Sequence, residues 1–113
     1  MSADVEEKII EFTIQPDKVQ IDRLMELPKA IKIKATISSI IDDNPPEVIV
    51  TDPNGKRDSQ RANKVDDRRP IVKYVRTFGV TKDSPPGDYN VKLVYTGLPP
   101  EERTFNVEWV EIK

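Results

Sequence analysis

A turn that leads directly into a strand pattern is the feature that most constrains how this chain can fold. Pro85-Pro86-Gly87-Asp88 combines residue types that reverse a chain, and Tyr89 then opens an alternation of apolar and polar residues that continues to residue 95. A period of two residues is typical of a β-strand with one buried face. We therefore predict a strand over residues 87–95 that packs its alternate side chains into a core.

The same alternation recurs at residues 7–15, 30–37, 47–51 and 102–112, and in a short piece around residues 19–21. Residues 71–80 are also predicted to form a strand, but one with apolar residues on both faces. The clearest example is 30–37, where every second residue is apolar. Proline, glycine or aspartate bounds each segment. About seven short strands at regular spacing predict an all-β fold, an antiparallel sandwich of two sheets. Locally, residues 22–27 can instead form one helical turn that Pro28 ends.

The predicted core combines the alternating apolar residues of these strands. Its members are Phe12, Ile14, Ile31, Ile33, Val50, Val91, Leu93, Phe105, Val107 and Trp109. Trp109 is the only tryptophan, and its second interpretation is a surface anchor for a partner. Tyr89 follows Gly87 at the start of the penultimate strand, where a tyrosine corner forms in such sandwiches. We predict that the Tyr89 side chain is buried and that its hydroxyl bonds to upstream backbone.

The length of 113 residues fits a single domain, residues 1–113. Within it we expect disorder at residues 1–6 and a long flexible loop at 56–70, which has few apolar members. The alternative for residues 56–70 is one short edge strand. Charged residues make up 34% of the chain and the net charge is -2, so no basic field for nucleic acid or acidic membranes is expected. No apolar run approaches the ~20 residues of a membrane-spanning helix.

The chain contains neither cysteine nor histidine. Disulfides, thiol nucleophiles, serine–histidine–aspartate triads and the common zinc, copper and iron sites are therefore excluded. The adjacent pair Asp66-Asp67 would face opposite sides of a strand, unlike a working acid–base pair. We predict that the chain is not an enzyme and needs no cofactor.

Oxygen ligands suitable for calcium collect where the second-to-third-strand loop and the last hairpin loop would meet. The candidate ligands are Asp42, Asp43, Asn44, Glu101 and Glu102. The competing interpretation is a solvated turn, because aspartate and asparagine favour loops for conformational reasons alone.

A basic stretch is the second candidate site. Its members are Lys56, Arg57, Arg61, Lys64, Arg68 and Arg69, and basic residues continue to Lys73 and Arg76. Over residues 56–69, six basic and three acidic residues give a local net charge of +3. Such asymmetry indicates docking of an acidic protein partner, whereas a solvated loop is the competing interpretation. Nucleic acid is not expected, because no aromatic residues for base stacking interleave before Tyr74.

The order of strands around Pro53-Asn54-Gly55 and Pro86-Gly87-Asp88-Tyr89 resembles the immunoglobulin-like modules of prokaryotic surface and secreted proteins. It is also similar to their macroglobulin-like and fibronectin III-like relatives. This resemblance implies a non-enzymatic structural or adhesive module of a larger surface or secreted protein, located at the cell surface or outside the cell.

The acidic N-terminus lacks the basic-then-apolar order of a signal peptide. The alternative is therefore a stand-alone cytoplasmic or virion-associated interaction protein whose basic residues 56–69 dock an acidic partner. Protein partners, or neighbouring domains of the same chain, are expected in either case.

Overall fold

The computed structural model describes residues 10–38 and 44–111. These residues contain nine strands and no helix. Residues 1–6, predicted to be disordered, lie outside these ranges. The strands are β1 (Ile10–Gln15), β2 (Lys18–Ile21), β3 (Lys29–Ile37), β4 (Glu47–Thr51), β5 (Arg57–Arg61), β6 (Asn63–Arg68), β7 (Ile71–Val80), β8 (Gly87–Val94) and β9 (Glu101–Trp109).

The strands form two sheets that pack face to face. One sheet has the order β1-β3-β7-β6, and the other has the order β2-β9-β8-β4-β5. Neighbouring strands are antiparallel, except that β2 runs parallel to β9. The predicted all-β class and the arrangement in two sheets are confirmed, consistent with a β-sandwich.

Alternation along each strand sends one face into the core between the sheets. In β3, Ile31, Ile33, Ala35 and Ile37 are buried, as their spacing predicts. Eight of the ten predicted core residues are buried and Ile14 is half-buried. The core also contains residues that the core prediction leaves out: Val19, Ile21, Ala62, Val72, Tyr74 and Val80.

The core prediction for Trp109 is wrong, because 46% of this residue is exposed. Trp109 has the parity of the buried residues Phe105 and Val107, but it lies at the rim of the sheet. Val107 pairs with Gly87, the first residue of β8, so β9 has lost that neighbour by residue 109. The position is flanked only by Ile21 of β2, which is too little to cover a large side chain.

The loop predicted at residues 56–70 is also wrong, because β5 and β6 lie there. Strand β5 is an edge strand of the five-stranded sheet, and β6 is an edge strand of the four-stranded sheet. Ala62, which is 3% exposed, connects the two strands. All five residues of β5 are exposed. Edge strands of this kind bury little apolar surface, so their sequences do not need the alternation by which strands are recognised.

The helical turn predicted at residues 22–27 is not observed, and a non-helical turn lies there. The Leu24 amide donates to the Asp22 Oδ1 atom over 2.7 Å, and the Met25 amide donates to the Asp22 carbonyl over 3.3 Å. Leu24 and Leu27 are largely exposed, so no helical face packs against the core there. Asp22 thus stabilises a local reversal between β2 and β3.

Candidate functional site

The six predicted basic residues lie along two adjacent sheet edges, which we call the basic edge (residues 56–69). Lys56, Arg57 and Arg61 belong to the edge of the five-stranded sheet, at or beside β5. Lys64, Arg68 and Arg69 belong to the edge of the four-stranded sheet, at or beside β6. The structure therefore divides the predicted stretch into two halves with different surroundings.

Aspartates of the same segment pair with the basic residues beside β6. Lys64 Nζ lies 3.0 Å from Asp67 Oδ2, and Arg69 Nε lies 2.9 Å from Asp67 Oδ1. Arg68 Nε lies 3.4 Å from Asp66 Oδ1. Hydrogen bonds from Arg69, and then from Lys64, hold the pKa of Asp67 below its usual value. This half of the basic edge is therefore largely compensated by its own carboxylates.

The half beside β5 is less compensated. Arg61 Nη1 donates to the Pro45 carbonyl over 2.7 Å, and Arg61 lies opposite Glu47 in the β4–β5 pair. Arg57 lies opposite the uncharged Thr51. Within the described ranges, neither Lys56 nor Arg57 forms an ion pair. These two cations are the part of the site most open to an acidic partner.

A tight turn positions β5. Asp52 Oδ1 accepts hydrogen bonds from the amides of Asn54 and Lys56 over 2.9 and 2.8 Å. Gly55 completes the reversal with a φ of 87°, a conformation that costs glycine little. The sequence pattern aspartate, proline, asparagine, glycine predicts such a turn, and here it sets the register in which β5 runs beside β4.

Arg76, which the sequence analysis counted with the basic surface stretch, is buried. It is 3% exposed, and its Nη1 donates to the carbonyls of Val48 over 2.6 Å and Asp58 over 3.0 Å. Its Nη2 lies 3.1 Å from Asp58 Oδ1, and its guanidinium lies 5.6 Å from the centre of the Phe78 ring. Arg76 thereby ties β7 of one sheet to the β4–β5 hairpin of the other.

Sequence reasoning missed this role, although a signal was present. Arg76 falls between Tyr74 and Phe78 on the inward-facing parity of β7. A charged residue at an inward position needs polar partners in the core, because an unpaired buried charge is costly. The carbonyls and the carboxylate that serve as partners come from the other sheet, which the local pattern does not reveal.

Tyr89 and Gly87 have structural roles at the start of β8. Tyr89 is 1% exposed, its hydroxyl donates to the Pro85 carbonyl over 2.8 Å, and its ring stacks on Phe105 at 4.8 Å. Burial raises the pKa of the Tyr89 hydroxyl. Gly87 has a φ of 132°, and a Cβ atom there would lie 2.9 Å from Pro53 Cγ. The backbone at residue 87 therefore has room for glycine only.

The calcium candidates are only partly described. Asp42 and Asp43 lie outside the described residues. Glu101 is paired with Leu93 at the end of the β8–β9 hairpin, and Glu102 Oε1 accepts a hydrogen bond from Asn90 Nδ2 over 3.0 Å. Across residues 10–38 and 44–111, no three acidic side chains are gathered as ligands for a metal ion. A calcium site stays a prediction from the sequence.

Comparison with known proteins assigns the chain to no family. No protein-family model matches it, and no curated protein matches its sequence. In the part of the chain that the structure describes, no helix has the length and apolar character needed to cross a membrane. The strand order and the contacts of the two sheet edges therefore provide the basis for inferring function.

Proposed function

We propose that this chain is a non-enzymatic, immunoglobulin-like module that serves a structural or adhesive role in a larger surface or secreted protein. The observation that carries the proposal is the strand order. Immunoglobulin sandwiches place strands A, B, E and D in one sheet and C, F and G in the other. Here β1-β3-β7-β6 correspond to the first set, and β4, β8 and β9 correspond to the second.

The two remaining strands fit the same scheme as extensions. Strand β5 adds to the outer side of β4, the position of the C′ strand in variable-type domains. Strand β2 continues from β1 across Pro16 and joins the second sheet beside β9. On this assignment the module has nine strands, compared with the seven of the constant-type fold.

The environment of Tyr89 supports the same assignment. A tyrosine corner is a tyrosine near the start of strand F whose hydroxyl bonds to backbone a few residues upstream. Tyr89 is the third residue of β8, and its hydroxyl donates to the carbonyl of Pro85. Because the chain has no cysteine, packing of this kind stabilises the sandwich without the disulfide of antibody domains.

The mechanism would be rigid display. The buried core holds two sheets together, and the turns and sheet edges at their margins are presented in fixed positions. Binding residues are disproportionately found on segments that a rigid scaffold positions in this way. The proposal thus assigns function to margins of the fold and not to its interior.

The size and location of the native polypeptide test this proposal. An antibody raised against the purified chain would be used on fractionated source cells and on culture medium. A band well above 12.9 kDa in the cell envelope or medium is expected. A band near 12.9 kDa in the cell interior would contradict the surface role.

One observation favours a second candidate function, a stand-alone cytoplasmic or virion-associated interaction protein that binds an acidic partner. Lys56 and Arg57 are exposed beside the turn that opens β5, and no described carboxylate pairs with them. A small interior band in the same immunoblot supports this second function. The basic edge would then be the first surface to test for binding.

A further inference from the structure

Among the described residues, no strand pairs with the outer side of β5, which ends the five-stranded sheet. The Asp52 amide donates to the Lys56 carbonyl over 2.9 Å, and the Ala62 amide donates to the Pro46 carbonyl over 3.0 Å. Along an antiparallel pair of strands, residues whose amide and carbonyl groups bond to the partner strand alternate with residues whose amide and carbonyl groups point away from it. Even-numbered residues of β5 therefore bond to β4. The amides and carbonyls directed away from β4 belong to Arg57, Ser59 and Arg61.

The same three residues carry the outward-facing side chains of β5. Asp58 and Gln60 lie opposite the buried residues Val50 and Val48, so their side chains share the inward face. Arg57, Ser59 and Arg61 consequently face outward, and all three are exposed. An incoming strand would meet three residues that offer backbone hydrogen bonds and exposed side chains together.

The charges on this edge favour an acidic strand. Arg57 lies opposite Thr51 and has no described carboxylate partner, and Lys56 precedes it. Arg61 is four residues further along, but it already lies opposite Glu47 and donates to the Pro45 carbonyl. Opposite charges directly across a sheet stabilise the pair, and like charges destabilise it. A carboxylate opposite Arg57 should therefore contribute more than one opposite Arg61.

Two other described edges are less suited to accept a strand. Strand β6 has an irregularity between Lys64 and Asp66, and local aspartates compensate its cations. An irregularity of this kind interrupts the evenly spaced backbone groups that a further strand would need. Strand β2 has four residues, which limits the number of hydrogen bonds it can offer.

We propose that β5 binds an extended, acidic polypeptide segment of a protein partner as an additional strand. A carboxylate of that segment pairs with Arg57, and a second one, four residues away, lies near Arg61. Main-chain hydrogen bonds supply affinity in this mode, and alternate side chains supply specificity. The inference deepens the proposed display role, in which the margins of the fold bind partners, and rests on it.

Synthetic peptides of nine residues test this proposal on the full chain. The acidic peptide is Thr-Val-Glu-Val-Thr-Val-Glu-Val-Thr, and the matched control has lysine at both glutamate positions. Isothermal titration calorimetry measures affinity, and amide resonances in NMR spectra locate the contact. The acidic peptide should bind about ten-fold more tightly than the control. The largest shifts should fall on the amides of residues 57, 59 and 61.

Two pairs of variants separate backbone pairing from charge. Ser59→Pro removes an amide of β5 that points away from β4, so the pairing of β5 with β4 should be retained. The peptide strand would lose one hydrogen bond, because β5 no longer offers that donor. Ser59→Ala keeps that amide and serves as the control. Arg57→Glu should reverse the preference between the two peptides, whereas Lys32→Glu, on the outer face of the other sheet, should not.

Several results would overturn the proposal: equal binding by the Ser59→Pro and Ser59→Ala proteins, shifts confined to another surface, or no binding of the acidic peptide. Preferential binding of a single-stranded oligonucleotide over the acidic peptide would also overturn it. Circular dichroism of each variant confirms that the fold is retained. Failure here leaves the immunoblot result unaffected, so the display role and the edge-binding role are tested separately.

Discussion

Tyr89 and Arg76 are buried polar side chains that donate hydrogen bonds to backbone carbonyls, although the Nε atom of Arg76 has no partner among the described residues. Tyr89 reaches only four residues upstream to the Pro85 carbonyl, whereas Arg76 reaches carbonyls of Val48 and Asp58 in the opposite sheet. The first contact is local enough to be predicted from a motif. The second depends on how two sheets are superposed, and it is visible only in the folded chain.

We expect Tyr89→Phe to lower the free energy of unfolding by about 1 kcal/mol, the net contribution of a typical hydrogen bond. Urea unfolding at neutral pH, followed by circular dichroism, measures the change. Equal stability of the two proteins would contradict a structural role for the hydroxyl. The substitution keeps the ring that stacks on Phe105, so packing is left intact.

The same two proteins should differ in their response to alkaline pH. Burial raises the pKa of Tyr89 in the folded state, so the neutral hydroxyl is favoured there. Its stabilising contribution is complete below the unfolded pKa of about 10 and is lost as pH rises through the higher folded value. The advantage of the wild-type protein over Tyr89→Phe should therefore be constant near neutrality and shrink above about pH 10.

We expect Arg76→Ala to cost about 3 kcal/mol, because it removes charge-assisted hydrogen bonds and packing from the core. Asp58→Asn should cost about 1 kcal/mol or less, since the Asp58 side chain is 50% exposed and water compensates its loss. Lys73→Ala, at an exposed position of the same strand, is the control and should change stability little. Denaturant unfolding ranks the three variants, and a smaller effect for Arg76→Ala than for Asp58→Asn would contradict the tie between the sheets.

At the scale of elements, glycines at two turns allow β4, β5 and β8 to be placed beside one another. Gly55 closes the β4–β5 hairpin, and Gly87 begins β8 beside Pro53 of that same turn. Both have a positive φ, but only Gly87 is closely approached by another residue. The two glycines therefore separate the effect of backbone conformation from the effect of crowding.

Gly55→Ala should lower stability by about 1 kcal/mol, because only left-handed backbone strain opposes the added methyl group. Gly87→Ala should cost more, about 2 to 3 kcal/mol, because strain is combined with a contact to the Pro53 ring. Thermal unfolding of both variants measures the difference. Equal losses would show that Pro53 moves away without cost.

The elements recognised from sequence are those that bury one face. Strand β3 was predicted over residues 30–37 and is observed at Lys29–Ile37, because its alternation is uninterrupted. For residues 56–70 the sequence predicts a loop, with one short edge strand as the alternative, whereas two edge strands are observed, because nearly all side chains of β5 and β6 are exposed. Among the basic candidates, the sequence located the residues but not their division into an ion-paired half and an open half.

At the scale of the whole molecule, residues 60–67 connect the two sheets. They include the end of β5, the buried crossover residue Ala62 and most of β6. Deleting them would remove pairing from one edge of each sheet, whereas deletion from a flexible loop costs little. We therefore expect the deletion to unfold the protein or to lower its melting temperature sharply.

A full-length variant with serine at Lys64, Arg68 and Arg69 serves as the control for this deletion. It removes the exposed ion pairs but keeps the strand, so its stability should stay close to that of the wild type. Differential scanning calorimetry compares both proteins with the wild type. A deletion variant as stable as the control would contradict the crossover role of Ala62.

The sequence by itself determined the all-β class, most of the core and the turns, because these depend on local alternation and on residues that favour tight reversals. Tertiary structure decided which strands share a sheet, that Arg76 is buried, that Trp109 lies at an exposed rim, and that the basic residues occupy two sheet edges. The physical reason is that burial and pairing depend on neighbours far away in the chain. The local sequence around a residue does not show whether a distant strand will cover that residue or whether it will lie at the edge of a sheet.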